Sequence, residues 1–413
     1  MQDIAVLKFG GSSVKSIGRL QHVAEIIRTF PARKKIVIVS AMGDTTDYLL
    51  KLAKQCSLIP DKRELDLLLS SGEQVSIALL ALTLSSTGIK AKAYTGQQLG
   101  IITDDSHSKA RILSIRDDLL NQAIEENEVT VVAGFQGCSQ SGEITTLGRG
   151  GSDTSAVAVA VAAGADTCHI YTDVDGIYSA DPSRVSNARF IEAITYEESL
   201  ELARSGAQVI HPRAVELAQD HNLKLRIRNT FKPEHEGTLI GDSKVERKQN
   251  ISGVAIDSHV ALLKICGVVD SKEAFANLEG SSNIIIDALT SALTDECEAP
   301  SLLATVKYSD IDELQLWSNS VKKRFGNCEV VSKTEVAKVS LIGQGLAADR
   351  FAAARLISIL ANKQISIKQL SCSDIRISAI VPLDQAQLAA EAIHSEFSLE
   401  TRLCTQDILS SVA

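Results

Sequence analysis

The stretch Thr145–Ala156, T-T-L-G-R-G-G-S-D-T-S-A, gathers the groups that an anion needs. Gly148, Gly150 and Gly151 let the backbone turn tightly and approach a ligand with no Cβ in the way. Arg149 sets a guanidinium fork among them, a shape that grips carboxylate or phosphate through two hydrogen bonds. Ser152 and Asp153 read as the cap and first turn of a helix running to about Ala163. Free N–H groups and a partial positive charge at a helix mouth attract anions. A glycine turn with a surface arginine would share some of these letters, but the coincidence of glycines, Arg149 and a cap points to a ligand. Lys8, beside Gly10 and Gly11, would suit phosphate oxygens; on spacing alone a solvated strand flank fits equally well.

These residues need elements to hold them. Ile4–Phe9, Ile36–Val39, Val129–Ala133 and Cys168–Tyr171 read as short buried strands. Each ends in small or polar residues: G-G-S-S, S-A-M-G-D-T-T, G-F-Q-G and T-D-V-D-G. Helical stripes lie between, at Arg19–Arg28 and at Leu65–Leu84, the latter interrupted by Ser70-Ser71-Gly72 with Glu73 opening its second half. Ala156–Val161 alternates like a strand, but alanine's helix propensity and the Gly164 stop favour a buried helix. Apolar strands alternating with helices predict an α/β fold with a mainly parallel sheet between helices. Ligands in such sheets bind beyond the carboxyl ends of the strands, so the four tails and G-R-G-G-S-D are expected to form one rim.

Bulk properties narrow the class. The 413 residues predict two or three domains, and 45% apolar with 23% charged content is ordinary for a globular chain. Aromatics are only 4%, so the core must be aliphatic. A net charge of −9 argues against nucleic-acid binding. The eight cysteines are scattered without metal spacing, so neither disulfides nor a structural metal is expected. The N-terminus lacks a targeting profile and Ala156–Ala165 is too short to span a bilayer, so a cytoplasmic protein without membrane association is expected.

Past Lys224–Arg228, the segment N-T-F-K-P-E-H-E-G-T and the residues to Asn250 read as a linker. The chain then repeats: Val260–Gly267 matches Val336–Gly343, and Asn283–Asp287 matches Gln364–Lys368. Strand, glycine, helix, strand in each copy predicts two small α+β modules that pair within the chain or across a dimer.

Five motifs in order, K-F-G-G-S-S (8–13), S-A-M-G-D-T-T-D (40–47), G-F-Q-G (134–137), T-T-L-G-R-G-G-S-D (145–153) and Y-T-D-V-D-G-I-Y (171–178), resemble the aspartate kinases of the amino-acid kinase family. The C-terminal repeat resembles the paired ACT (ferredoxin-like) domains those enzymes carry. The resemblance implies a catalytic domain at 1–240 and ACT-like domains at 251–330 and 331–413. It implies ATP- and Mg²⁺-dependent phosphorylation of the side-chain carboxylate of L-aspartate, the entry step to lysine, threonine, methionine and diaminopimelate. By the family pattern Lys8 stabilises the transferring phosphoryl, with Phe9, Gly10, Gly11 and Ser12 around the phosphates. Arg149, Gly150, Gly151 and Ser152 hold aspartate, Arg149 on a carboxylate; Thr45 and Glu73 complete the pocket, Glu73 on the substrate ammonium. Asp153 orients Lys8 or a magnesium ion. Thr172, Asp173 and Tyr178 line the nucleotide. A homodimer through the ACT-like domains is also implied.

The sequence departs from the pattern in places. The family's A-D-P-R reads Ala180-Asp181-Pro182-Ser183 here, with Arg184 one place late, and Gln208 replaces a lysine before Val209-Ile210-His211-Pro212-Arg213-Ala214. Both missing cations would face ATP phosphates, and Arg184 is expected to compensate. The ACT-like loops Val269–Glu273 and Leu346–Arg350 lack the usual Pro-Gly, which predicts weak or absent inhibition by lysine or threonine. Three other readings compete. Gly343–Ala348 fits a dinucleotide-binding G-x-G-x-x-A, but no acidic residue ends the following strand. The same fold could phosphorylate acetylglutamate, glutamate or a nucleoside monophosphate. Ser183 and Gln208 would suit a non-catalytic sensor.

Overall fold

A computed structural model describes residues 4–207, 209–242, 251–266, 284–292, 301–308, 311–325, 329–346, 348–349 and 351–400. The chain forms two compact units. The first comprises residues 1–177, 190–203 and 208–246; the second comprises 178–189, 204–207 and 247–413.

The first unit begins with β1 (Ile4–Phe9), α1 (Ile17–Thr29), β2 (Lys34–Val39), α2 (Thr45–Cys56) and α3 (Lys62–Ser86). Then come β3 (Ala91–Tyr94), α4 (Gly96–Leu99), β4 (Ile101–Thr103), β5 (Ile112–Ile115), α5 (Asp117–Glu126), β6 (Val129–Ala133), β7 (Gln136–Ser139) and β8 (Ile144–Thr146). The unit continues with α6 (Gly151–Ala162), β9 (Thr167–Thr172), β10 (Ala193–Ile194), α7 (Tyr196–Arg204), α8 (Pro212–Asp220), β11 (Lys224–Asn229) and β12 (Thr238–Ile240). The main sheet has the order β10-β12-β11-β9-β1-β2-β6-β3. The four strands expected from the sequence are its centre, β9-β1-β2-β6, all parallel. Both faces are covered, which is why these strands are apolar throughout rather than alternating. One core layer is aliphatic, built on Leu7, Val23, Ile27, Val37, Val131 and Leu80, with Phe9 stacked on Tyr171 at 4.7 Å.

Three expectations need correction. The helix through Ser70-Ser71-Gly72 is unbroken from Lys62 to Ser86. The Ser70 and Ser71 hydroxyls bond back to the carbonyls of Leu67 and Leu68, and Gly72 is small because Ala41 packs against it: a Cβ there would lie 3.0 Å from the Ala41 Cβ. The helix after the glycine turn is capped by Gly150, in the left-handed region, and not by Ser152. The stretch after Lys224–Arg228 is not simply a linker, because β12 returns antiparallel on β11 and completes the sheet. The sequence also gave no warning of a second sheet, β5-β4-β7-β8, into which G-F-Q-G runs at Gln136.

The helix α3 has the length and hydropathy of a bilayer span, yet its buried face lies against the protein core and carries Asp66 and Glu73.

The second unit holds two four-stranded antiparallel sheets. One comprises strands Ile251–Asp257, Val336–Gly343, Arg376–Pro382 and Gln369–Cys372. The other comprises Ile285–Ala292, Ser301–Lys307, Val260–Cys266 and Glu329–Lys333. The repeated strands Val260–Cys266 and Val336–Gly343 are each interior to their sheets. Helices Ala352–Asn362 and Ala386–Glu396 pack on the first sheet through Leu356, Leu360, Ala389 and Ile393. Residues 178–189 enter that core at Ala180 and Val185. The loop Val269–Glu273, Ala347, Arg350 and Gln208 lie outside the described residues.

Candidate active site

The carboxyl ends of β9, β1, β2 and β6 lie side by side, so residues distant in sequence converge there. Backbone bonds tie the ends together: Ser40 N–H donates to the Phe9 carbonyl at 3.1 Å and Gly134 N–H to the Val39 carbonyl at 3.0 Å.

Lys8 sits near the end of β1, registered between Ile38 and Ile170, and is only 9% exposed. Its Nζ lies 2.6 Å from the Asp153 Oδ1 in the first turn of α6. A buried ammonium requires such a counter-charge. Gly10 leaves the space beside it clear, since a Cβ there would be 3.5 Å from the Lys8 Nζ. The Gly10 N–H is taken by the Tyr171 carbonyl at 3.3 Å, and Phe9 is buried, its ring stacked on Tyr171. Gly11 and Ser12 open a short 3₁₀ turn next to Gly43.

The glycine turn places Arg149 in solvent between two left-handed residues, Gly148 at φ 77° and Gly150 at φ 68°. Only glycine fits at 150: a Cβ would lie 2.0 Å from the His211 ring. His211 in turn donates its backbone N–H to the Asp153 Oδ2 at 3.4 Å, and burial lowers the pKa of its imidazole. Arg213 clamps the root of the turn, donating to the Leu147 carbonyl at 2.8 Å and the Ala110 carbonyl at 3.1 Å. Gly151 begins α6, and Ser152, buried, packs where a Cβ on Gly134 would otherwise stand.

On the next strand end, Glu73 of α3 is 2% exposed. Its Oε1 accepts the Ala41 N–H at 3.1 Å, while its Oε2 is buried with no hydrogen-bond partner. Burial without a cation pushes its pKa up to about 8. Thr45 opens α2 and donates its hydroxyl to the Met42 carbonyl at 2.6 Å. Its methyl group lies beside Gly72, one residue before Glu73 on α3.

Thr172 ends β9 and its hydroxyl donates to the exposed Asp173 at 3.3 Å. Asp175 takes Asn229 Nδ2 at 2.6 Å and Lys232 Nζ at 2.9 Å, and these hold its carboxyl below the usual range, the lysine contributing most. Tyr178 and Arg184 belong to the second unit, where Arg184 pairs with Asp181 at 3.8 Å. Ser183 bonds the same carboxylate through N–H and hydroxyl at 2.9 and 2.7 Å. Sequence reasoning missed His211 and Arg213 as supports of the turn, and it missed Asp66. The signal for Asp66 was a carboxylate on the apolar face of a helix, seven positions before Glu73.

A sequence model described as "Amino acid kinase family" matches residues 3–229, and one described as "ACT domain" matches residues 339–397. An aspartokinase of Bacillus sp. (strain MGA3) is 41% identical over 405 residues, covering 96% of this chain and 97% of its own. An aspartate kinase of Pseudomonas putida is 41% identical over 404 residues, covering 96% of this chain and 98% of its own. The crystal structure of E. coli aspartokinase III with aspartate and ADP (R-state) matches with a TM-score of 0.81 at 24% identity, over 95% of this chain and 99% of that one. The chain belongs to the amino acid kinase family and, within it, to the aspartokinases. It is a phosphotransferase whose kinase fold is followed by ACT-type sheets.

Proposed function

We propose that the chain transfers the γ-phosphoryl group of ATP to the side-chain carboxylate of L-aspartate, giving 4-phospho-L-aspartate and ADP. The observation that carries this reading is the buried, unpartnered Oε2 of Glu73. Burial without a cation drives this carboxyl to its protonated form, and a substrate ammonium resolves that by pairing with the ionised one. Arg149, on the turn after β8, answers the other requirement, a fork for a carboxylate.

The acceptor carboxylate, with an ordinary pKa of about 3.9, is already ionised near neutrality, so no residue must remove a proton. Its oxygen forms the new P–O bond while the bond to the β-phosphate oxygen breaks and ADP leaves. The obstacle is repulsion between two anions, which positioning and positive charge overcome. Lys8 stabilises charge on the transferring phosphoryl, and Asp153 holds the Lys8 ammonium in place. Gly10, Gly11 and Ser12 bring backbone and hydroxyl groups to the phosphates, with Phe9 contributing only main chain. Gly150, Gly151, Ser152 and Thr45 shape the acceptor pocket, and Thr172 and Asp173 line the nucleotide.

No group of three or more His, Cys, Asp or Glu side chains suited to a metal occurs among the described residues. That fits magnesium, which keeps its waters and needs only one or two carboxylates plus phosphates. Asp153 would orient this ion as the alternative to holding Lys8, and the ion would supply neutralisation of phosphate charge. The C-terminal half is read as two ACT-like modules that pair the chain as a cytoplasmic homodimer; strand Ile251–Asp257 joins the sheet of Val336–Gly343 and Glu329–Lys333 that of Val260–Cys266, so the modules do not divide at 330/331. Without a Pro-Gly loop, they are expected to give weak or no inhibition by lysine or threonine.

The test is hydroxamate trapping with ATP and Mg²⁺ over an acceptor panel, with and without lysine and threonine. Product from aspartate but not from acetylglutamate, glutamate or nucleoside monophosphates is expected. Preference for another acceptor, or no turnover, overturns the reading.

A further inference from the structure

We propose that Asp66 is a positioning residue that sets the length of acceptor the enzyme takes, by fastening the Arg149 turn to the helix that bears Glu73. The inference rests on the aspartate reading above.

Asp66 is fully buried on α3, and an isolated carboxylate there would be unfavourable. Its two oxygens are saturated instead. They accept from His107 Nδ1 at 2.8 Å, from Ser108 N–H at 3.0 Å to each oxygen, and from the Ser108 hydroxyl at 3.4 Å. They also accept from Thr146 N–H at 3.1 Å and from the Thr146 hydroxyl at 2.5 Å. One carboxylate thus ties α3 to two separate segments, the loop after β4 and the end of β8.

Both segments abut the glycine turn. Thr146 is three residues before Arg149, with only Leu147, which is buried, and the half-buried Gly148 between them. Ser108 is held at φ 68°, and its carbonyl lies 3.0 Å from where a Cβ on Gly148 would stand. Ala110 N–H donates to the Thr146 carbonyl at 3.0 Å, closing the two segments on each other.

The other end of the same helix face carries Glu73. Seven helical residues span roughly 10 Å along the axis, at 1.5 Å each. The group for the substrate ammonium and the root of the group for its carboxylate are therefore mounted on one rigid rod. An acceptor one methylene longer must displace one of them. The catalytic chemistry needs no buried carboxylate at position 66; fixing a distance does.

The experiment measures kcat and KM for aspartate, glutamate and ATP in the wild type, Asp66→Asn, Thr146→Val and His107→Ala, with thermal midpoints alongside. An asparagine amide would present N–H groups to the N–H groups of Ser108 and Thr146, and an unsatisfied buried donor is worth about tenfold or more. Asp66→Asn is expected to raise KM for aspartate about tenfold and lower the aspartate-over-glutamate ratio of kcat/KM by a similar factor. KM for ATP should stay within about twofold. Thr146→Val and His107→Ala each remove one side-chain bond and should shift the same quantities less; they decide the matter if Asp66→Asn does not fold. Unchanged KM for aspartate and unchanged discrimination in the folded variants overturn the proposal. So does a parallel loss in aspartate and ATP affinity that tracks the thermal midpoint, since that marks a merely structural role. A wild type that makes no acyl phosphate from aspartate refutes the aspartate reading instead.

Discussion

The Lys8 ammonium and the Asp153 carboxylate meet at 2.6 Å with both side chains nearly buried, one from the first strand and one from the first turn of α6. Removing one member leaves the other charged and out of water. Asp153→Ala should therefore destabilise the fold by about 3–5 kcal/mol, and Lys8→Met/Asp153→Ala together by less than the sum of the single changes. Urea denaturation of the four forms checks this; additive losses would show that the pair is not coupled.

The buried Glu73 makes a pH prediction. With its pKa near 8, it is protonated in the empty protein at pH 7, and binding an ammonium requires the ionised form. Aspartate binding should then release close to one proton at pH 7, and affinity should improve as pH rises toward 8. Titration calorimetry in buffers of different ionisation enthalpy measures it, and Glu73→Gln should abolish the release.

The same group affects stability with the opposite sense. Its folded pKa is raised above the ordinary 4.5, so the native state binds the proton more tightly than the unfolded chain does. The stabilisation is complete below about pH 4.5 and is lost as pH rises through about 8. Glu73→Gln keeps the neutral form at every pH, so its stability relative to the wild type should increase between those limits. Unfolding midpoints measured across pH 5–9 test the sign.

Much of this site was legible in the letters. Strand ends followed by glycine, and an arginine between glycines ahead of a cap-like serine, signal a rim because backbone geometry and charge are local properties. What was illegible depends on tertiary partners. Ser70-Ser71-Gly72 looked like a break, yet the serine hydroxyls bond within the helix and Gly72 answers the approach of Ala41. Ser152 looked like the cap, but the His211 ring against Gly150 fixes the turn two residues earlier than the helix signal suggested. Asp66 shows locally only as a carboxylate on the apolar face of a helix; its role was illegible because its donors come from loops far along the chain.

The glycine turn is testable at one position. Gly150→Ala adds a methyl group in a left-handed residue and against the His211 ring. Both effects move Arg149, so KM for aspartate should rise at least about tenfold while nucleotide binding stays close to the wild type. Equilibrium binding of a labelled nucleotide, beside steady-state kinetics, separates the two.

Arg184 is exposed, and its guanidinium pairs only loosely with Asp181 at 3.8 Å. If it replaces the cation missing at Ser183, Arg184→Ala should raise KM for ATP about tenfold, in line with the loss of one charged hydrogen bond. An unchanged KM for ATP removes Arg184 from the nucleotide site.

In the proposed reaction fixed positive charge, rather than a base, drives transfer between two anions. Single-turnover formation of aspartyl phosphate by Lys8→Met, at saturating ATP, Mg²⁺ and aspartate, tests it most directly. The expected rate is lower by about 10²–10³, with aspartate affinity preserved. A rate within about threefold of the wild type would contradict it.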